Sequence, residues 1–248
     1  MPDGSPADQS AIVVGVGARQ GVGGALAHRL SREGMHVFIA GRTADRLEAL
    51  AKELRADGGV VTPVVTDTTS EEAVIALFDH VEKNGPPLEL VAFNAGNNLW
   101  GSLLEMEADF FEDIWRVACF GGFLVGREAA RRLVPTGRGS ILFTGASASL
   151  RGKAQFAAFA SAKAGLRMVV QSLAREVGPQ GIHVAHVVID GAVNGEVVKN
   201  KVPGIEDRFG SEGMLNVDAI AETFWQLHLQ HPTAWTQELD LRPFKENW

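Results

Sequence analysis

The chain contains no tyrosine, so no phenol is available anywhere in it to act as a general acid or base. It carries a single cysteine, Cys119. That excludes an intrachain disulfide and a multi-thiolate metal site, fits a reducing compartment and leads us to expect a cytoplasmic protein. Cys119 itself reads as a buried helix residue. Long apolar runs are missing: none approaches the roughly 18 residues a membrane span needs. The opening MPDGSPADQS has neither a basic nor an apolar region, so residues 1–10 read as a disordered lead-in and not as a signal peptide. Positive charge is in deficit, with 23 Lys and Arg against 30 Asp and Glu for a net charge of −7. Such a balance argues against nucleic-acid or anionic-membrane partners.

What is present suffices for one core. The 248 residues are 46% hydrophobic, and α/β chains of this length commonly form one domain, here 11–248. Apolar runs at 11–14, 36–40, 60–66, 88–94, 140–144, 183–189 and 235–241 read as strands. Helical stretches separate them at 44–56, 71–83, 107–133, 153–177 and 217–230. The alternation predicts an α/β fold, a parallel sheet of about seven strands with helices on both faces. Pro63 lacks a ladder donor and places the third strand at an edge, as a doubly wound order 3-2-1-4-5-6-7 requires. Residues 190–213 lack clear periodicity, and a long irregular segment after a strand reads as a lid over a site.

The stretch AIVVGVGARQGVGG at 11–24 joins a buried strand to a helix start through a glycine turn. Backbone N–H groups at such a helix N-terminus stabilise a phosphate, and glycine lets the phosphate come close. A G-x-G-x-x-G pattern from Gly15 fails at Gln20. The pattern G-x-x-x-G-x-G holds at Gly17, Gly21 and Gly23, with Arg19, Gln20 and Val22 between them.

That spacing resembles the short-chain dehydrogenase/reductase family, and the resemblance runs to about Leu241. Asn94-Ala95-Gly96 stands where the family has N-A-G after strand four. Asp67 falls where a family aspartate contacts adenine. Phe159 to Lys163 occupies the place of Y-x-x-x-K, and Asp190-Gly191 that of Pro-Gly. The resemblance implies a Rossmann-type fold, a nicotinamide dinucleotide cofactor and an oxidoreductase activity. After strand two an acidic residue would favour NAD. Gly41-Arg42 stands there instead, so we expect NADP(H) in preference to NAD, with Arg42 on the 2′-phosphate and Arg19 as a second contact.

Three of the family's four catalytic positions depart from its pattern. The tyrosine is Phe159, the serine falls on Ala146, and the helix asparagine on Ala118; Lys163 alone remains. A shifted register would make Ser147 or Ser149 the serine, but no shift restores the tyrosine. Lys163 keeps the role of holding the nicotinamide ribose. Phe159 serves either core packing or an apolar site wall, with Phe156 and Trp100. Asp190 makes loop hydrogen bonds, or acts as an acid if apolar surroundings raise its pKa. Asn97 and Asn98 fall near the mouth of the site.

Two functions follow. One is an NADP-dependent oxidoreductase acting on an apolar carbonyl or a polarised C=C bond with a proton source other than tyrosine. The other is a catalytically inactive relative that binds NADP(H) as a sensor or partner subunit. Helices 107–133 and 153–177 are apolar on more than one face, which predicts a homodimer or homotetramer. The tail, with Pro243, Phe244 and Trp248, is available to dock on a neighbour.

Overall fold

The computed structural model describes residues 5–96, 98–210 and 212–246. Asn97, Trp248 and residues 1–4 lie outside the described residues. Pro6–Asp8 form one 3-10 turn, and Ser10 already belongs to the first strand.

Seven strands form the main sheet: β1 Ser10–Val14, β2 His36–Gly41, β3 Val61–Val65, β4 Leu88–Phe93, β5 Ser140–Thr144, β6 His183–Ile189 and β9 Glu238–Leu241. All neighbours pair in parallel, in the order β3-β2-β1-β4-β5-β6-β9. Two short strands, β7 Val193–Asn194 and β8 Leu215–Asn216, make a separate ladder. This is the doubly wound Rossmann arrangement, with the last strand at the far edge. Pro63 sits opposite Ile39 on the edge strand β3, where its missing donor faces away from the sheet.

Helices cover both faces. On one side lie α1 Val22–Arg32, α2 Ala44–Ala56 and α9 Val217–His228. On the other lie α3 Glu71–Asn84, α5 Gly121–Leu133 and α6 Ala157–Val177. Each face has its own apolar core, one around Val13, Leu26, Leu30 and Phe224, the other around Val14, Phe38, Phe93 and Phe143. Strands buried on both faces explain why β1, β5 and β6 read as mostly apolar runs, with His183 and His186 the polar members of β6. Ser70 starts α3 by accepting the Ala73 N–H at 3.2 Å, a cap worth about 1 kcal/mol.

Three departures from the sequence reading have physical causes. The 107–133 stretch divides into α4 Ala108–Trp115, a π-turn Arg116–Phe120 and α5. Such wide turns recur at functional sites, and this one carries Ala118. Helix α6 starts at Ala157, because Gln155 has φ +70°, which no right-handed helix tolerates. The 190–213 segment holds β7 and two short helices, α7 Glu196–Lys201 and α8 Ile205–Phe209; one or two turns each are too short to print a periodicity.

Candidate active site

The carboxyl ends of β1, β4, β5 and β6 converge on one side of the molecule. At β1, Gly15 has φ +84°, and a Cβ there would lie 2.3 Å from the Ala95 nitrogen. This glycine allows strand one to touch strand four. Asn94 fixes the contact: its N–H donates to Val14 O at 2.8 Å and its Nδ2 to Gly15 O at 3.1 Å. Gly17 differs in kind. A Cβ on Gly17 would meet nothing within 4 Å, so the space beside it is an open cradle. Gly21 caps α1 with no side-chain hydrogen bond, leaving first-turn N–H groups for an anion. Gly23 packs under the turn, its would-be Cβ 2.7 Å from Gly15 O. The Gln20 carbonyl accepts from Glu196 N–H at 2.8 Å, which seats the 190–213 segment against the glycine turn.

The arginines divide. Arg19 reaches Asp218 at 3.2 Å and His28 Nδ1 at 2.7 Å, so its guanidinium is held toward α9. Arg42 is exposed at the end of β2. Thr69 donates to Asp67 through its N–H at 2.9 Å and its hydroxyl at 2.8 Å. Those bonds, with the nearby charges of Arg42 and Arg116, hold the Asp67 carboxyl below its ordinary pKa.

A cavity of about 570 Å³ opens beyond Asn94 and Gly96. Val22, Thr144, Ala146, Phe156, Phe159 and Lys163 are among its lining residues. Lys163 is 4% exposed. Its Nζ donates to Thr144 O at 2.7 Å and faces Gly96, where a Cβ would come within 3.4 Å. Burial lowers the Lys163 pKa to about 8. An ammonium has three donors, and Thr144 O is its one hydrogen-bond acceptor among the described residues. The Thr144 hydroxyl, also on the cavity wall, is buried without a partner. These unfilled groups and the open cradle at Gly17 fit a dinucleotide stretched from the glycine turn to Lys163.

Phe159 lies one helical turn before Lys163 on the same face. It lines the cavity, backed by Ile114, Ala118 and Cys119, so packing and wall are the same role. Ser149, a shifted-register candidate for the family's serine, is buried, and its Oγ accepts the Ala146 N–H at 3.1 Å. Ser147 lines the cavity but hydrogen-bonds the Asp190 carboxylate.

Of the two readings of Asp190, the structure shows the hydrogen-bonded one and not the apolar surroundings that would raise its pKa. It is 1% exposed, and burial pushes its pKa up. Ser147, Arg151 and Arg242 outweigh burial and hold it below the usual carboxylate value. Arg151 Nη2 lies 2.9 Å from Oδ1, and Arg242 Nη2 3.2 Å from Oδ2. The carboxylate is therefore an anchor between arginines. Next to it Gly191 leaves no room for a Cβ, which would lie 2.7 Å from Pro243 Cδ. The C-terminal segment thus packs on its own chain, and Glu246 joins the cavity wall. The sequence reading missed Arg151, Arg242 and Glu246; the neighbours of Asp190-Gly191 in the sequence, Val188, Ile189, Ala192 and Val193, are apolar and gave no sign of them.

With this geometry established, comparison with known proteins fixes the class. A family model for short chain dehydrogenases matches residues 11–205, and the chain belongs to that family. A short-chain dehydrogenase structure from Rhodopseudomonas palustris is 38% identical, with a TM-score of 0.81, covering 96% of this chain and 99% of that one. An alcohol dehydrogenase from the archaeon Thermococcus sibiricus, complexed with 5-hydroxy-NADP, is 25% identical at a TM-score of 0.82, covering 96% and 98% of the two chains. A cyclic-di-GMP-binding biofilm dispersal mediator protein of Escherichia coli K12 is 33% identical over 184 residues, 72% of this chain and 71% of its own length. The family is one of nicotinamide-dinucleotide-binding oxidoreductases. Among the described residues no helix is long and apolar enough to cross a membrane.

Proposed function

We propose that the protein is an NADP(H)-dependent oxidoreductase acting on an apolar carbonyl or polarised C=C compound, with its proton drawn from a source other than a tyrosine. The carrying observation is the cavity wall itself. Lys163 offers unfilled donors beside Gly96, while one turn earlier Phe159 offers only a ring. The bound dinucleotide supplies or accepts the hydride. Gly17, Gly21, Val22 and Gly23, with Gln20, form the pyrophosphate turn; Asn94, Ala95 and Gly96 form the floor. Asp67 lies by the adenine and Arg42 by the 2′-phosphate. Lys163 holds the nicotinamide ribose, and Gly191 lies beside the nicotinamide. Asp190, ionised between two arginines, holds the wall and gives up no proton. Proton delivery then falls to water entering the cavity. Phe156 and Phe159 select an apolar substrate.

A second reading, nucleotide binding without turnover, is favoured by the three replaced side chains Phe159, Ala146 and Ala118. The related protein whose name describes binding, and no reaction, points the same way. Fluorescence titration with NADPH and NADH, followed by NADPH oxidation with ketones and enones, separates the readings. Tighter NADPH binding with measurable enone reduction supports the first. Binding with no turnover across the panel supports the second. Equal or tighter NADH binding overturns the cofactor preference.

Exposed Phe111, Trp115 and Phe123 on α4 and α5, with Met168 on α6, support a homodimer or homotetramer through these helices. A sedimentation mass of one chain at micromolar concentration would contradict it.

A further inference from the structure

A run of hydrogen bonds passes under the cavity wall that the proposed function does not use. Arg167 grips Glu238 with Nε at 2.7 Å and Nη2 at 2.6 Å. His186 Nδ1 lies 2.9 Å from Glu238 Oε2. On its other side His186 Nε2 lies 3.4 Å from Ser149 Oγ, and Ser149 Oγ lies 3.1 Å from Ala146 N. One assignment of protons satisfies every member. The Glu238 carboxylate accepts from Arg167 and from Nδ1–H of His186. Nε2 is then an acceptor and takes the Ser149 hydroxyl proton, and the Ser149 oxygen accepts the Ala146 N–H. Hydroxyl, imidazole and carboxylate follow in the order of an acyl-transfer triad. Ser149, however, is buried and is not among the residues that line the ligand cavity. The chain therefore ends on a backbone amide.

That amide belongs to the wall. Gly145, Ala146, Ser147 and Ala148 all line the cavity. Gly145 rests on the imidazole, where a Cβ would lie 2.4 Å from His186 Nε2. Gly145 N–H also donates to Val187 O at 2.7 Å. We infer that His186, locked in one tautomer by Glu238 and acting through Ser149, is a positioning residue for the 145–148 wall of the ligand cavity. The wall's shape is thereby tied through the sheet to the part-exposed Arg167–Glu238 ion pair. This rests on the reading that the cavity receives the nicotinamide end of the cofactor.

Two measurements on the full-length protein test it. Amide hydrogen exchange at residues 145–148 should rise about 10-fold in Ser149→Ala, the loss of one buried hydrogen bond, and stay near wild type in Ser149→Thr, which keeps the hydroxyl. NADPH affinity should follow, weaker in Ser149→Ala and restored in Ser149→Thr. His186→Gln combined with Ser149→Ala should be no worse than the weaker single variant. Unchanged exchange in Ser149→Ala overturns the inference, as does equal loss in the Ala and Thr variants. If exchange responds as expected but the wild type does not bind NADPH, the nucleotide reading fails and the positioning chain stands.

Discussion

The two ends of the site are built from different materials. At the glycine turn the working groups are backbone N–H donors and the space that Gly17 leaves open. At the other end, hydride chemistry in this family depends on particular side chains. The turn keeps its whole pattern. At the chemical end the resemblance implies that Lys163 stands with Phe159, Ala146 and Ala118 at the places of the family's tyrosine, serine and asparagine. A backbone site needs its glycines for two reasons, chain geometry at Gly15 and space for the ligand at Gly17. A side-chain site can lose its proton donor and still pack, since Phe159 fills the same wall against Ile114 and Cys119. Binding and chemistry can therefore part company within one fold.

The contrast is sharpest if the chemical end can be rebuilt. Phe159→Tyr with Ala146→Ser places a phenol one turn from Lys163. Ketone reduction with NADPH should rise by about 10²-fold or more, the usual worth of a positioned general acid, with cofactor affinity little changed. A gain below about 5-fold would mean that more than the donor is missing.

Acid should distinguish the two sides of the sheet next. His186 faces Glu238, Ser149, Lys163 and Arg167, and His228 faces Ser140, His183 and Trp225. Burial lowers both pKa values to about 4. A base whose folded pKa is depressed takes up its proton first in the unfolded chain. Stability is thus lost as pH falls from about 6.5 toward 4, by roughly 3 kcal/mol for each histidine. Hydrogen exchange near pH 4.5 should open β6, β9 and α9 before β2 and β3. Uniform exchange across the sheet would contradict this.

Within the glycine turn the comparison can be broken by single methyl groups. Gly15→Ala meets the Ala95 backbone at a left-handed φ and should cost about 3 kcal/mol or more, read as a lowered denaturation midpoint. Gly17→Ala meets no protein atom and should leave the midpoint unchanged while dinucleotide affinity collapses. The smallest effect is expected of Arg42→Ala. It should weaken NADPH about 10-fold, one charge-assisted contact, and leave NADH binding as it was.

Much of this was legible in the sequence. Strands buried on both faces print as apolar runs, which is why β5 and β6 read to the residue. Pro63 placed its strand at the edge without any knowledge of neighbours. The resemblance implied that Phe159 and Ala146 stand at the places of the family's tyrosine and serine, and the structure shows both lining the cavity. Asp190 was not, because its environment comes from Arg151 and Arg242, side chains from two other segments that only the folded chain brings together. Nor was the break before Ala157, which depends on the backbone angle of one non-glycine residue, Gln155. The His186 chain was half visible: the three-residue spacing put His183 and His186 on opposite faces, and the structure gives His183 to Thr236 and His186 to Glu238.

The seat of Pro243 on Gly191 makes the 243–246 segment part of the architecture of the site. Pro243 Cδ fills the space that a Cβ on Gly191 would need. Glu246 N–H donates to Pro243 O at 2.9 Å, and Glu246 lines the cavity. A methyl group added at Gly191 would therefore reshape the cavity from outside it, by lifting Pro243 and with it the Glu246 part of the wall.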